Sequence, residues 1–249
     1  MSGHSKWANI KYRKGSQDKK RGQLFSKLIK EITLLARHDP DPDNNPSLAN
    51  AIERAKAVNM PKENIERAIK RATGDLEGVQ YEEISYEGYG PGGVAMLVRV
   101  VTDNRNRSAS GIRRIFKEFG GHMGEEGSVA WLFERQGVIV VDGDATEADH
   151  DELMMRAIEL GAEDIQEIED GIEIYCSPKL IQKIREALEA MGARIGRAES
   201  TMIPTTNVHL EGSEAERILK LMNRLDDHED VQQVFANFDI PDEIFETVG

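Results

Sequence analysis

The residues best suited to chemistry in this chain are cations at its amino terminus. Lys6, Lys11, Arg13, Lys14, Lys19, Lys20, Arg21, Lys27 and Lys30 fall within 30 residues that contain one acid, Asp18. Lysine offers a point charge and arginine a planar fork, the two groups that neutralise and orient phosphate. Trp7 and Tyr12 are interleaved among them. Exposed, such rings stack on unpaired bases; buried, they pack the arm onto the first helices. A second cationic set lies in Thr102-Asp-Asn-Arg-Asn-Arg-Ser-Ala-Ser-Gly-Ile-Arg-Arg, where a strand gives way to a helix. There Arg105, Arg107, Arg113, Arg114 and Lys117 surround a helix N-terminus, whose free amides and dipole attract phosphate. The competing reading is local: Asn104, Asn106 or Ser108 caps the helix, and the arginines pair with nearby acids.

Other groups of chemical interest read as structural. Gly88-Tyr-Gly-Pro-Gly-Gly has no Gly-Lys-Ser/Thr and precedes a strand, so a tight turn is expected in place of a phosphate cradle. Asp149-His150-Asp151 and Asp226-Asp227-His228-Glu229-Asp230 contain metal-type ligands, but they fall at helix starts or in loops, where acids cap and solvate. No His-Glu-x-x-His and no nucleophile elbow occurs, and the six histidines are scattered. The expectation is a chain with no catalytic residues, no metal and no cofactor. The single cysteine, Cys176, can form no internal disulfide and ends the apolar run Ile172-Glu-Ile-Tyr-Cys. It reads as a buried thiol in a reducing, cytoplasmic protein.

The elements that would position these groups follow from apolar spacing. Residues 1–22 read as a basic arm separable from the domains behind it. Leu24, Phe25, Leu28, Ile29, Ile32, Leu35 and Ala36 mark one face of a helix, which the proline-rich run at 39–46 must end. Ser47 reads as the N-cap of a second helix, and Pro61 as the first position of a third that Gly74 stops. Residues 23–79 are thus expected to form a helical domain closing on a polar linker. Beyond it, Val94–Val101 and Ser128–Phe133 read as strands around a helix bearing Ile112, Ile115, Phe116 and Phe119.

Residues 138–203 read as strand, helix, strand, strand, helix, strand, with Glu169-Asp-Gly as the hairpin turn. Leu153, Ala157, Ile158 and Leu160 mark the first of those helices. The remainder offers a strand at Thr205–Leu210, a helix and a strand at Val231–Phe238. The expected fold class is α+β: a three-helix domain plus two ferredoxin-like α/β sandwich domains. Residues 80–134 with 205–249 would form a split domain, and 135–204 a complete domain inserted between its halves.

Charge decides which partners such a chain can meet. The 249 residues carry a net charge of −13, which argues against polyanions until it is divided along the sequence. Residues 1–75 hold 16 bases and 9 acids, or +7; residues 76–249 hold 16 bases and 36 acids, or −20. Screening beyond about 8 Å at physiological salt lets a ligand at the amino terminus feel mainly that end. The alternative is that the arm folds back onto the acidic body. No apolar run reaches membrane-spanning length and no signal peptide is visible. The implied partner is a nucleic acid and not a membrane; oligomeric state is not legible.

Several blocks carry a resemblance. Gly3-His-Ser-Lys-Trp-Ala-Asn-Ile-Lys, Lys19-Lys-Arg-Gly with Phe25-Ser-Lys, and Asn59-Met-Pro-Lys-Glu-Asn-Ile resemble the YebC family. So do Tyr86-Glu-Gly-Tyr-Gly-Pro-Gly-Gly-Val, Thr102-Asp-Asn-Arg-Asn-Arg and Gly127-Ser-Val-Ala-Trp, and the matches thin out beyond residue 135. The resemblance implies a three-domain cytosolic protein without known catalysis, of a kind named as DNA-binding transcriptional regulators. It equally implies a translational role: some relatives associate with ribosomes and relieve stalling at proline-rich stretches, and the mitochondrial relative activates translation of cytochrome oxidase subunit one. Three readings therefore stand: a duplex DNA binder, a factor binding ribosomal RNA, and an acidic adaptor for other proteins.

Overall fold

Three amphipathic helices, α1 (Asp18–Leu35), α2 (Pro46–Ala57) and α3 (Lys62–Thr73), open the computed structural model. It describes residues 3, 6–9, 18–74, 76, 79–143, 146, 148–168 and 171–247. Leu28, Ile32, Leu48, Ala51, Ile52, Ala55, Ile65 and Ala68 turn inward into one core. The start of α2 differs from the sequence reading. Asn45, not Ser47, caps it, with Oδ1 accepting from the Leu48 amide at 3.1 Å and Pro46 in the first turn. Pro61 precedes α3 by one residue, and Gly74 closes that helix in the left-handed region at φ 83°.

The next sheet contains a strand that the sequence reading assigned to linker and loop. β1 (Glu82–Tyr89) pairs antiparallel with β2 (Ala95–Thr102) through the turn at Gly90–Gly93. Gly92 in that turn has φ 67° and faces the Leu210 side chain, so it needs both a left-handed backbone and no Cβ. β2 is buried on nearly its whole length, which explains its unbroken apolar run. α4 (Arg105–Glu118) and the two-residue β3 (His122–Met123) follow. Ser128–Phe133 is not a strand: a 3-10 turn occupies Ala130–Leu132.

β4 (Phe133–Asp142), α5 (His150–Glu159), β5 (Ala162–Ile168), β6 (Gly171–Cys176), α6 (Ile181–Ala190) and β7 (Ile195–Pro204) come next. Their sheet order, β5-β6-β4-β7 and antiparallel throughout, is the ferredoxin-like arrangement. Residues 132–205 form one compact unit, and the described residues on either side of that stretch form the other. Ile139, Val141, Leu153, Ala157, Ile172, Ile174, Ile184 and Leu188 fill the inserted core. Ile158, expected to face inward, is exposed beside Met155. Cys176 is buried, and burial pushes its thiol up to about 11, so it stays protonated. Of the hairpin signal only Gly171 lies within the described residues.

The chain then completes the first sheet. β8 (Val208–His209), α7 (Gly212–Asp226), β9 (Val231–Ala236), β10 (Phe238–Asp239) and α8 (Asp242–Thr247) end the described structure. The expected strand at Thr205–Leu210 shrinks to β8, which pairs parallel with β10. The larger sheet has the order β3-β1-β2-β9, again antiparallel. The class is α+β, but this split domain does not follow the ferredoxin-like order. Its hairpin β1–β2 is central, and the strands reached through helices, β3 and β9, lie at the two edges.

Residues 6–9 are helical and belong to this split domain. Trp7 is 7% exposed within its core, and its Nε1 donates to Asn223 Oδ1 on α7 at 3.3 Å. The arm is therefore not separable: its first residues are part of the hydrophobic core. Trp7→Ala should destabilise the fold by about 3–5 kcal/mol, the usual cost of deleting a buried aromatic side chain. Urea unfolding followed by circular dichroism measures this, and a midpoint equal to the parent's would show that the ring contributes no packing.

Candidate nucleic-acid interface

The cations singled out in the sequence divide into those bound by the protein itself and those left to solvent. Lys27 and Lys30, one turn apart on α1, point at the end of α7 and the start of β9. Lys27 Nζ donates to the Asp226 carbonyl oxygen at 2.5 Å and to its Oδ1 at 3.4 Å. Lys30 Nζ donates to Asp230 Oδ1 at 2.6 Å and to the Glu229 carbonyl oxygen at 3.1 Å. Asp230 is fully buried, and Ser108 Oγ donates to its second oxygen at 2.7 Å. Burial alone would raise its pKa; the bonds from Lys30 and Ser108 and the Arg107 charge outweigh that and hold the carboxyl below its ordinary value. These two lysines fasten the helical domain to the sheet domain and are not phosphate ligands. The acids at 226–230, read as solvated, are the other half of the clamp.

The start of α4 follows the local reading. Asn104 Oδ1 accepts from the Arg107 amide at 3.1 Å, so the helix N-terminus is capped by the chain itself. Arg105 pairs with Glu82 at 3.1 Å and Arg107 with Asp103 at 2.6 Å, both on the surface. The phosphate site expected at this turn is thus filled. Arg113 and Arg114, further along α4, are exposed and make no ion pair among the described residues.

The arm itself is only partly placed. Lys11, Tyr12, Arg13 and Lys14 lie outside the described residues. Lys19 and Lys20 lie on the first turn of α1, where the backbone alone is described. Arg21 is exposed, its guanidinium 5.6 Å from the Phe25 ring centre. Lys6 Nζ lies 5.6 Å from the Phe245 ring centre, and Trp7 is buried, so neither ring stacking by Trp7 nor a free Lys6 supports an arm-borne site.

Two candidates were missed in the sequence. Arg67, Lys70 and Arg71 form an exposed row on α3, opposite Ile65 and Ala68, with no carboxylate within 4 Å among the described residues. Their spacing of three and four is legible in the sequence, but Glu63 and Glu66 precede them on the same helix and make it read as a mixed solvated face. Trp131 is the other, 71% exposed on a loop held by a buried acid. Glu87 accepts from the amides of Gly127, Val129 and Ala130 at 2.6–2.8 Å. Those three bonds outweigh its burial and keep its pKa below the ordinary carboxylate value. Trp131 Nε1 donates to the Ser128 carbonyl oxygen, which fixes the ring edge and leaves its faces open. No sequence pattern distinguishes this ring from a core tryptophan.

The metal-type clusters have structural roles. Asp149 caps α5, with Oδ1 accepting from the Asp151 and Glu152 amides. Among the described residues no group of three or more His, Cys, Asp or Glu could hold a metal, and no helix is long and apolar enough to cross a membrane.

Fold and site together define a class: an α+β protein with a basic helical front, an acidic sheet domain and a ferredoxin-like insertion. Two family models match it, the TACO1/YebC protein N-terminal domain over residues 5–75 and the TACO1/YebC second and third domain over residues 81–238. The chain belongs to the TACO1/YebC family. It is 53% identical over the full length of both chains to a "Probable transcriptional regulatory protein" of Dictyoglomus turgidum. A protein of the same name from Trichlorobacter lovleyi is 56% identical over 96% of each chain. The crystal structure of a conserved hypothetical protein from Aquifex aeolicus is similar at a TM-score of 0.82 and 49% identity, covering 91% of this chain and 93% of that one.

The buried clamp has a pH signature. Because the Asp230 pKa is depressed in the folded state, its contribution is fully present above the unfolded value, near 3.9, and is lost as pH falls through the folded value. Asp230→Asn should cost about 3–5 kcal/mol at pH 7, since it leaves the partly buried Lys30 without its charge partner. It should also flatten the loss of stability below about pH 4. Urea midpoints of both proteins between pH 3 and 7 test this; parallel pH profiles would remove Asp230 from the account.

Proposed function

We propose that this chain is a non-enzymatic, cytoplasmic regulator of gene expression that binds a polynucleotide through its N-terminal helical domain and basic arm. The observation that carries this reading is the α3 row. In a chain of net charge −13, Arg67, Lys70 and Arg71 stay exposed with no carboxylate within 4 Å among the described residues. Unpaired cations held on a rigid helix suit phosphate, whose neutralisation releases counterions from the polyanion. The arm adds Lys11, Arg13, Lys14, Lys19 and Lys20 to the cations in this part of the sequence. The relatives' printed name, probable transcriptional regulatory protein, supports a regulatory role and makes duplex DNA the first partner to test.

Structured RNA, such as that of the ribosome, is the second reading, and Trp131 favours it. An exposed ring with open faces stacks on an unpaired base, which RNA loops offer and a closed duplex does not.

Binding to a 30-base-pair DNA duplex, a 30-nucleotide RNA hairpin and intact ribosomes should be measured from 50 to 300 mM KCl. If about six phosphates are neutralised, the log–log slope should be about −4 to −5. Replacing Arg67, Lys70 and Arg71 with glutamine should make the slope shallower by about 2–3 without changing the melting temperature. A slope near zero on all three probes would exclude an electrostatic grip and leave the adaptor reading. Weakening by Trp131→Ala on the hairpin alone would assign RNA as the partner.

A further inference from the structure

The sheet domain keeps a second set of cations that no carboxylate among the described residues claims. α4 and α7 lie side by side on the sheet and run antiparallel, and two close approaches fix their register. A Cβ built on Gly111 would come within 2.7 Å of the His228 ring just past α7. A Cβ built on Gly120 would lie 3.7 Å from Arg217 Nη1, near the start of α7. Between these points the helical repeat of 3.6 residues places Arg114 and Arg224 at the same level on facing flanks. Lys117 lies one turn further along α4, about 60° further round the helix toward solvent than Arg114. All four side chains are exposed, and none has a carboxylate within 4 Å among the described residues.

The contrast with their neighbours makes the set informative. On the same two helices Arg105, Arg107 and Lys220 are each paired, with Glu82, Asp103 and Glu216. Glu118 lies on the seam side of α4 and Glu214 on that of α7, yet neither makes an ion pair with the four cations. Like charges brought to one seam repel, and among the described residues no direct ion pair offsets that repulsion. Arg217 alone has a structural use, beside the carbonyl end of α4, where a cation is favourable.

We propose that the seam between α4 and α7 is a phosphate-binding surface, on which Arg114, Lys117, Arg217 and Arg224 hold a stretch of polynucleotide backbone. This rests on the reading of the chain as a polynucleotide binder, and it adds a contact in the sheet domain. Three arginine forks suit the paired oxygens of successive phosphodiesters. Seven residues separate Arg217 from Arg224, so the seam offers cations over roughly 10 Å.

The test compares the full chain carrying R114Q/K117Q/R224Q, which leaves Arg217 at the end of α4, with the α3 variant and the parent. Each is titrated with the same DNA duplex and RNA hairpin across salt. The seam variant should bind at least about tenfold more weakly at 100 mM KCl, with a slope shallower by about 2–3, as three lost phosphate contacts require. Its circular dichroism and melting temperature should match the parent's, and R217Q added as a fourth change should weaken binding again. Parent-like affinity and slope in the seam variant, with binding lost in the α3 variant, would falsify the seam and leave the polynucleotide reading intact. If the parent itself shows no salt-dependent binding to either probe, both fall.

Discussion

A single buried carboxylate organises the larger unit of this molecule. Asp230 sits where three elements meet: Lys30 reaches it from α1, Ser108 from the first turn of α4, and its own backbone leads directly into β9. Thr102, at the end of β2, accepts from the Asn104 amide and lies 2.8 Å from Ser108 Oγ, so the same group also fixes the strand-to-helix turn. The Asp230 amide donates to His228 Nδ1 at 3.2 Å, which requires that nitrogen to be unprotonated. Burial lowers the His228 pKa accordingly. A buried charge is stable only when every lone pair is used, and here the partners come from segments more than 100 residues apart. The helical domain, the sheet and the helix pair above it share one electrostatic anchor.

That anchor changes the meaning of the basic front. Charge counted along a sequence treats all lysines alike; the fold does not. Lys27 and Lys30 belong to the same dense run as Lys19 and Lys20, yet each is committed to an internal carboxylate. Glu31 on the same helix pairs with Arg54 at 2.7 Å and approaches Arg99 at 3.8 Å, joining α1 to α2 and to β2. The alternative that basic and acidic parts neutralise one another holds for this stretch of α1. It does not hold for α3, nor for the α4–α7 seam, where exposed arginines have no carboxylate within 4 Å among the described residues. What remains for a polyanion is a smaller and more definite set of cations than the sequence suggested.

Apolar periodicity made the helices legible, because Leu28, Ile32, Leu48, Ile52 and Ile65 recur at the spacing of a buried face. The inserted domain was legible too, since each of its six elements carries its own period and the hairpin announces itself with glycine. β1 was not. Only two residues of β3 pair with it, so it is nearly an edge strand, and it carries Glu82, Glu83, Ser85 and Glu87. Its inward residues, Ile84, Tyr86 and Gly88, alternate correctly, but the acids made it look like linker. At the site, Asn104 as a cap and Asp149 as a cap were readable from local chemistry. The burial of Trp7 and Asp230 was not, because their partners, Asn223 and Lys30, lie 216 and 200 residues away.

The acidic parts bear on how a polyanion would approach. Residues 132–205 hold 17 acids and 7 bases, a net charge of −10 on one compact unit. Repulsion from it falls off within about 8 Å at physiological salt. Phosphates held at α3 therefore need only be kept about that distance from the inserted surface. On the proposed reading the consequence is directional: an anionic backbone would be attracted at α3 and at the α4–α7 seam and repelled by the acidic inserted unit. Net negative charge is thus compatible with nucleic-acid binding and would make it selective for position, because the same ligand displaced onto the acidic unit meets carboxylates in place of arginines.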